Sequence, residues 1–80
     1  MQHLIDVRSP AEFQMGHAPK AVNIPVDQLA IQLSKGTNMQ PNDKITVYCA
    51  SGGRAGVAKT LLERAGFSNV TNAGGLANVL

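Results

Sequence analysis

The chain has one cysteine, no tryptophan, one tyrosine and two phenylalanines in 80 residues. A lone cysteine excludes an internal disulfide. His3 and His17 stand apart from it and from each other, which argues against a structural zinc site. So few rings offer no stacking platform for single-stranded nucleic acid, and the seven Lys and Arg residues are scattered rather than gathered into a basic stripe. No apolar stretch approaches the ~20 residues of a membrane span. The opening "MQHLIDVRSP" enters a strand at once and has no signal-peptide core. The expected compartment is the cytoplasm, or the periplasm had a leader been removed. A net charge of +2 favours, at most, an anionic small molecule.

What is present is aliphatic. With 44% hydrophobic residues, a chain of this length makes one small domain, 1–80, that buries roughly 60–65% of its unfolded surface. Leu4, Ile5 and Val7 read as a buried strand. Ser9, Pro10 and Glu12 then spell a capping box with proline at the first helical position, so a short helix begins there and ends near Gly16. Ala21 to Pro25 is a second strand candidate, stopped by its proline. Val26, Leu29, Ala30 and Leu33 recur at helical spacing before Gly36. "KITVYC" is a strand rich in β-branched residues. From Arg54, residues Ala58, Leu61, Leu62 and Ala65 share a helix face that Gly66 ends, and a last strand surrounds Val70. Strand and helix alternate, and the strands are apolar runs. That pattern predicts a small doubly wound α/β fold, a mostly parallel sheet with helices on both faces. In such sheets the crevice lies beyond the carboxyl ends of the strands, where Cys49 and Arg8 both fall.

The stretch "CASGGRAG" concentrates the chemistry. Free cysteines are commonly buried as small hydrophobes, but such a cysteine needs no glycines, arginine and helix start beside it. A thiolate is the nucleophile, and a thiol near pKa 8.5 is mostly protonated at neutral pH. The N-terminus of the following helix and the charge of Arg54 both lower that pKa. Gly52 and Gly53 permit positive φ, which turns successive N–H groups inward as an anion-binding nest.

Four stretches in order, "LIDVRSPAEF", "GHAPKAVNIP", "VYCASGGRAG" and "VTNAGG", resemble a single-domain rhodanese-like sulfurtransferase of the thiosulfate-using, phage-shock type. The resemblance runs from Leu4 to Gly75. It implies a rhodanese-like fold and a persulfide mechanism without metal or organic cofactor. Cys49 is then the residue that takes up sulfur. Ala50, Ser51, Gly52, Gly53 and Arg54 form the cradle, with Arg54 set to steady a sulfonate or hold the loop. Asp6 and Arg8, in the "DVR" signature, play a supporting role. The implied partners are a small anionic sulfur donor and a thiol or cyanide acceptor, or a sulfur-relay protein. Two positions depart from the family pattern. Ala18 replaces a larger aliphatic residue, and Lys20 stands where glycine is favoured, so that turn either avoids positive φ or carries strain. The chain also stops soon after "NAGG", where relatives usually continue, as a truncated or a natural short form would.

The rivals use a similar cradle, and some share the fold. Cysteine phosphatases place five residues between cysteine and arginine, whereas four separate Cys49 from Arg54 here. An arsenate reductase would need a second cysteine. A binding module of this fold typically lacks the cysteine, and a sulfur relay would use the same persulfide with another donor.

Overall fold

The computed structural model describes residues 1–80. The elements run β1 (Gln2–Asp6), α1 (Pro10–Gln14), β2 (Val22–Asn23), α2 (Val26–Lys35), β3 (Lys44–Cys49), α3 (Gly53–Arg64) and β4 (Val70–Gly75), then a 3-10 turn at Leu76–Asn78. All pairings are parallel, in the order β2-β1-β3-β4. The chain starts in the middle of the sheet, builds one side with β2, then crosses back to build the other. The order therefore reverses between β1 and β3. Connections leaving their carboxyl ends diverge there and open a crevice.

Alternation along the strands separates two faces. Ile5, Ile45, Val47 and Val70 point to one side and pack under Leu29 of α2 and Ala55, Ala58 and Leu62 of α3 in a single core. Small alanines on α3 let that helix lie close to β3 and β4, and Phe67, just past its end, joins the same core. The opposite face is covered unevenly. At its carboxyl end the α1–β2 connection lies over Asp6 and Tyr48, both fully buried. Further down, Leu4 and Thr46 are half-buried, and Gln2, Lys44 and Thr71 are exposed. The helices expected on both faces thus divide as α2 and α3 on one and only the short α1 region on the other.

The predicted boundaries shift for local reasons. The second strand shortens to Val22–Asn23 because Pro25 follows, yet Ile24 and Val26 still donate to the carbonyls of Asp6 and Val7. Ser9 caps α1 through the capping box anticipated from its spacing with Glu12. Ala30 and Ala65, expected on apolar helix faces, are exposed; Ala65 is the residue that closes α3. Lys20 takes the strained alternative, φ +68, and is the sole non-glycine residue with positive φ. The left-handed region costs a side chain about 1–2 kcal/mol, partly offset in a glycine variant by its freer unfolded chain. Lys20→Gly should therefore stabilise the protein by about 0.5–1 kcal/mol, read as a higher urea midpoint at unchanged slope.

Candidate active site

β3 ends in Cys49, the chain turns through Ala50 and Ser51, and α3 starts at Gly53 with Gly52 as its left-handed cap, φ +100. That one positive φ folds the turn back over the cysteine, so that the Gly52 N–H donates to Cys49 Sγ at 2.9 Å. Burial pushes the Cys49 thiol up. The backbone N–H groups of Ala55, Ser51, Gly52 and Arg54 aimed at the sulfur outweigh it, and the thiol lies below its ordinary value. The first turn of a helix has no internal acceptors for its N–H groups. Here those of Arg54 and Ala55 face a sulfur.

Ser51, Gly52 and Arg54 turn N–H groups to the sulfur, and Ala55, outside the expected stretch, joins them. Gly53 takes no positive φ; it is the first helical residue, exposed, with open space where a Cβ would sit. The Ala50 carbonyl faces Gly75 of β4.

β4 holds the loop from behind. Val47 pairs with Asn72, but Cys49 pairs with Gly75, so β4 carries one extra residue over that step. Gly74, φ +83, accommodates the bulge. The shift brings Gly75 so close that a Cβ there would lie 2.5 Å from the Ala50 carbonyl oxygen. Asn72 donates to the Gly52 carbonyl at 3.1 Å and accepts from the Gly74 N–H at 2.8 Å, tying the left-handed residue to the bulge. In the sequence Gly74 and Gly75 read only as the close of the last strand, and Asn72 carries no mark. The "NAGG" run was the available signal, although nothing in it reveals which backbone it would meet.

Arg54 does not project freely. Its guanidinium donates to Glu12 Oε1 at 2.6 Å and Oε2 at 3.0 Å, a two-pronged ion pair from α3 to α1 across the crevice. Glu12 also accepts from the Ser9 N–H and Oγ. With Arg54 first and the Ser9 N–H second, the Glu12 carboxyl is lowered to about 2. The pair accounts for a cation in the first turn of α3, where the helix dipole disfavours one. Beside it opens a hollow of about 330 Å³ lined by Val7, Ser9, Pro25, Asp27, Gln28 and Arg54 among others.

Asp6 and Arg8 sit at the same end of the sheet but spend their side chains internally. Arg8 Nε and Nη2 donate to the Asp6 carboxylate at 2.7–3.1 Å, and Nη2 also donates to the Gly16 carbonyl. Burial raises the Asp6 carboxyl, but the bonds from Arg8 and Tyr48 lower it further. The Tyr48 hydroxyl accepts from the Ala18 N–H at 3.1 Å, and Arg8 lies over its ring at 5.7 Å. This buried knot fixes the residue before the cysteine. Ala18 is fully buried under it, which leaves no room for the larger side chain of the family pattern. His17 stacks on Phe13 and bonds its carbonyl, serving the turn.

A cysteine sulfur ringed by backbone N–H groups, at the switch point of a parallel sheet, defines a thiolate-based anion cradle. The profile of the Rhodanese-like domain family matches residues 1–79, and the chain belongs to that family. It is similar to Thiosulfate sulfurtransferase PspE of Escherichia coli K12, 37% identical over 78 residues, 98% of this chain and 74% of that protein. It is also 40% identical over 75 residues to the chloroplastic Thiosulfate sulfurtransferase 16 of Arabidopsis thaliana, covering 82% of this chain and 62% of that one. Among solved structures, a rhodanese with anions from E. coli superposes with a TM-score of 0.87 at 37% identity, over 99% of this chain and 92% of that one. No helix is long and apolar enough to cross a membrane.

Gly75→Ala should push the Ala50 carbonyl away and disorder the cradle. The expected result is a loss of about 1–3 kcal/mol in stability and a Cys49 titration midpoint moved up toward an ordinary thiol, measured by the pH dependence of iodoacetamide alkylation. The Glu12 pair adds an acid dependence of definite sign. Its folded value, about 2, lies below the ordinary 4.5. Its stabilisation is therefore complete above about pH 4.5 and is lost as pH falls toward 2. Urea titrations over that window should show a shallower acid slope in Glu12→Gln than in the wild type.

Proposed function

We propose that the chain is a sulfurtransferase that carries sulfane sulfur on Cys49 as a persulfide, from thiosulfate or a persulfide donor to a thiophilic acceptor. The observation that carries this reading is the convergence of four backbone N–H groups on one sulfur inside the short Cys49–Arg54 ring. Four residues between cysteine and arginine give a ring suited to a sulfur atom, tighter than the five-residue spacing of cysteine phosphatases. The names of the two sulfurtransferase relatives support the same activity.

In the first half-reaction the Cys49 thiolate attacks the outer sulfur of thiosulfate. An S–S bond forms to Cys49 as the donor's own S–S bond breaks, and sulfite leaves with the bonding electrons. The negative charge then rests on the new terminal sulfur, one atom further out. The N–H groups of Ser51, Gly52, Arg54 and Ala55 are fixed before the reaction, so they stabilise that charge without reorganising, as an oxyanion hole does. A thiol or cyanide attacks the terminal sulfur in the second half-reaction and returns the thiolate. Ala50 and Gly53 shape the turn rather than solvate the sulfur. Asp6 and Arg8 act at a distance, by fixing Tyr48 and so the direction in which Cys49 leaves the sheet.

Incubation with thiosulfate should add one sulfur to the intact mass, and cyanide should remove it as thiocyanate. Cys49→Ser should do neither. A folded wild type that takes up no sulfur from thiosulfate or from an alkyl persulfide would refute the assignment.

A further inference from the structure

The cradle handles one charge, and thiosulfate has two. The N–H groups aimed at Cys49 meet the sulfur end of a donor, and the α3 N-terminus adds a partial positive charge there. The sulfonate end must lie outside that ring, toward the crevice. The crevice is lined by one permanent cation, Arg54, and neither it nor the buried Arg8 behind it is free. Arg8 is closed onto Asp6 at 2.7 Å, and Arg54 is held by both oxygens of Glu12. The adjoining hollow adds Asp27 and no lysine. One lining cation, Arg54, thus meets two carboxylates, its partner Glu12 and Asp27, before the thiolate itself is counted. A dianion entering this site finds no free counter-charge.

We propose that the Glu12–Arg54 ion pair makes the site selective for sulfane donors of low charge, the terminal sulfur of an alkyl persulfide, over the thiosulfate dianion. The inference rests on the sulfur-transfer reading and names its preferred donor class. The step balances without an external oxidant. The Cys49 thiolate attacks the outer sulfur of R–S–SH, one S–S bond forms as another breaks, and R–S⁻ departs with the electron pair. The leaving thiolate carries a single charge, where sulfite carries two. Glu12 is a positioning residue in this scheme. It touches no reacting atom and acts by holding Arg54 neutralised on the α1 side of the crevice.

Glu12→Gln isolates the charge. The glutamine carbonyl still accepts from the Ser9 N–H and Oγ, so the capping box survives, while its amide N–H groups cannot pair with a guanidinium. The Oε1 bond to Arg54 Nη1 can persist, but the neutralising charge and the Oε2 bond are gone, so Arg54 presents its positive charge to the sulfonate. The KM for thiosulfate should fall about 3- to 10-fold, and that for 2-hydroxyethyl persulfide should stay within about twofold. A second readout needs no sulfur donor. Iodoacetate and iodoacetamide alkylate the same thiolate, so their rate ratio cancels the thiolate fraction and reports the field met by an anion. That ratio should rise about 3- to 10-fold in Glu12→Gln and converge with the wild type near 1 M salt, where the Debye length is about 3 Å. Asp27→Asn, which leaves Arg54 and the cap intact, should move the ratio the same way. Unchanged ratios in both variants, or equal KM changes for the two donors, would overturn the proposal. Failure of both donors to load sulfur on the wild type would overturn the sulfur-transfer reading and the donor preference together. A working enzyme with unaltered charge discrimination would sink the donor preference alone.

Discussion

A sulfur anion under a helix has no water to solvate it, and the backbone must supply the donors. Most of the carboxyl end of this sheet is arranged to meet that requirement. β3 delivers Cys49 to the foot of α3, the left-handed Gly52 folds the turn back, and the unpaired N–H groups of the first helical turn close on Sγ. Each is an ordinary local device. Together they leave the thiol below its usual value despite burial, because fixed N–H dipoles offset the desolvation that would otherwise favour the neutral form.

Two sets of contacts keep that arrangement from relaxing. From the β1 side, the Asp6–Arg8 pair and the Tyr48 hydroxyl lock the residue before the cysteine to the α1–β2 connection. From the other side, the β4 bulge seats Gly75 against Ala50, and Asn72 bridges Gly52 to Gly74. The buried ion pair makes good sense here despite its cost in desolvation. No buried side-chain polar atom in it lacks a partner, so it specifies one geometry at the strand end.

The elements were legible in the sequence because they are locally coded. β-branched residues mark β3, the Ser9–Glu12 spacing marks α1, and glycines mark the turns. The cysteine and its loop were legible for the same reason. What the sequence did not disclose are contacts between distant segments. Glu12 reads as half of a capping box, and nothing near it indicates that its second oxygen meets Arg54, 42 residues on. Ala55 carries no side-chain signal, since its contribution is a backbone N–H. The single positive φ at Gly52 rather than across both glycines depends on where β4 presses, and Gly75 is informative only once Ala50 lies against it. Lys20 shows the reverse case, a local rule broken because the turn over Tyr48 fixes the backbone.

The β4 bulge also sets a timetable. Cys49 emerges from the ribosome before α3, and well before Asn72 and Gly75. Until those residues arrive the cysteine lacks both the helix that donates its N–H groups and the strand that braces the turn. A nascent chain therefore presents an ordinary, mostly protonated thiol to the oxidants and electrophiles of the cell. The activated nucleophile forms only when the last strand docks, after synthesis and folding have run through β4.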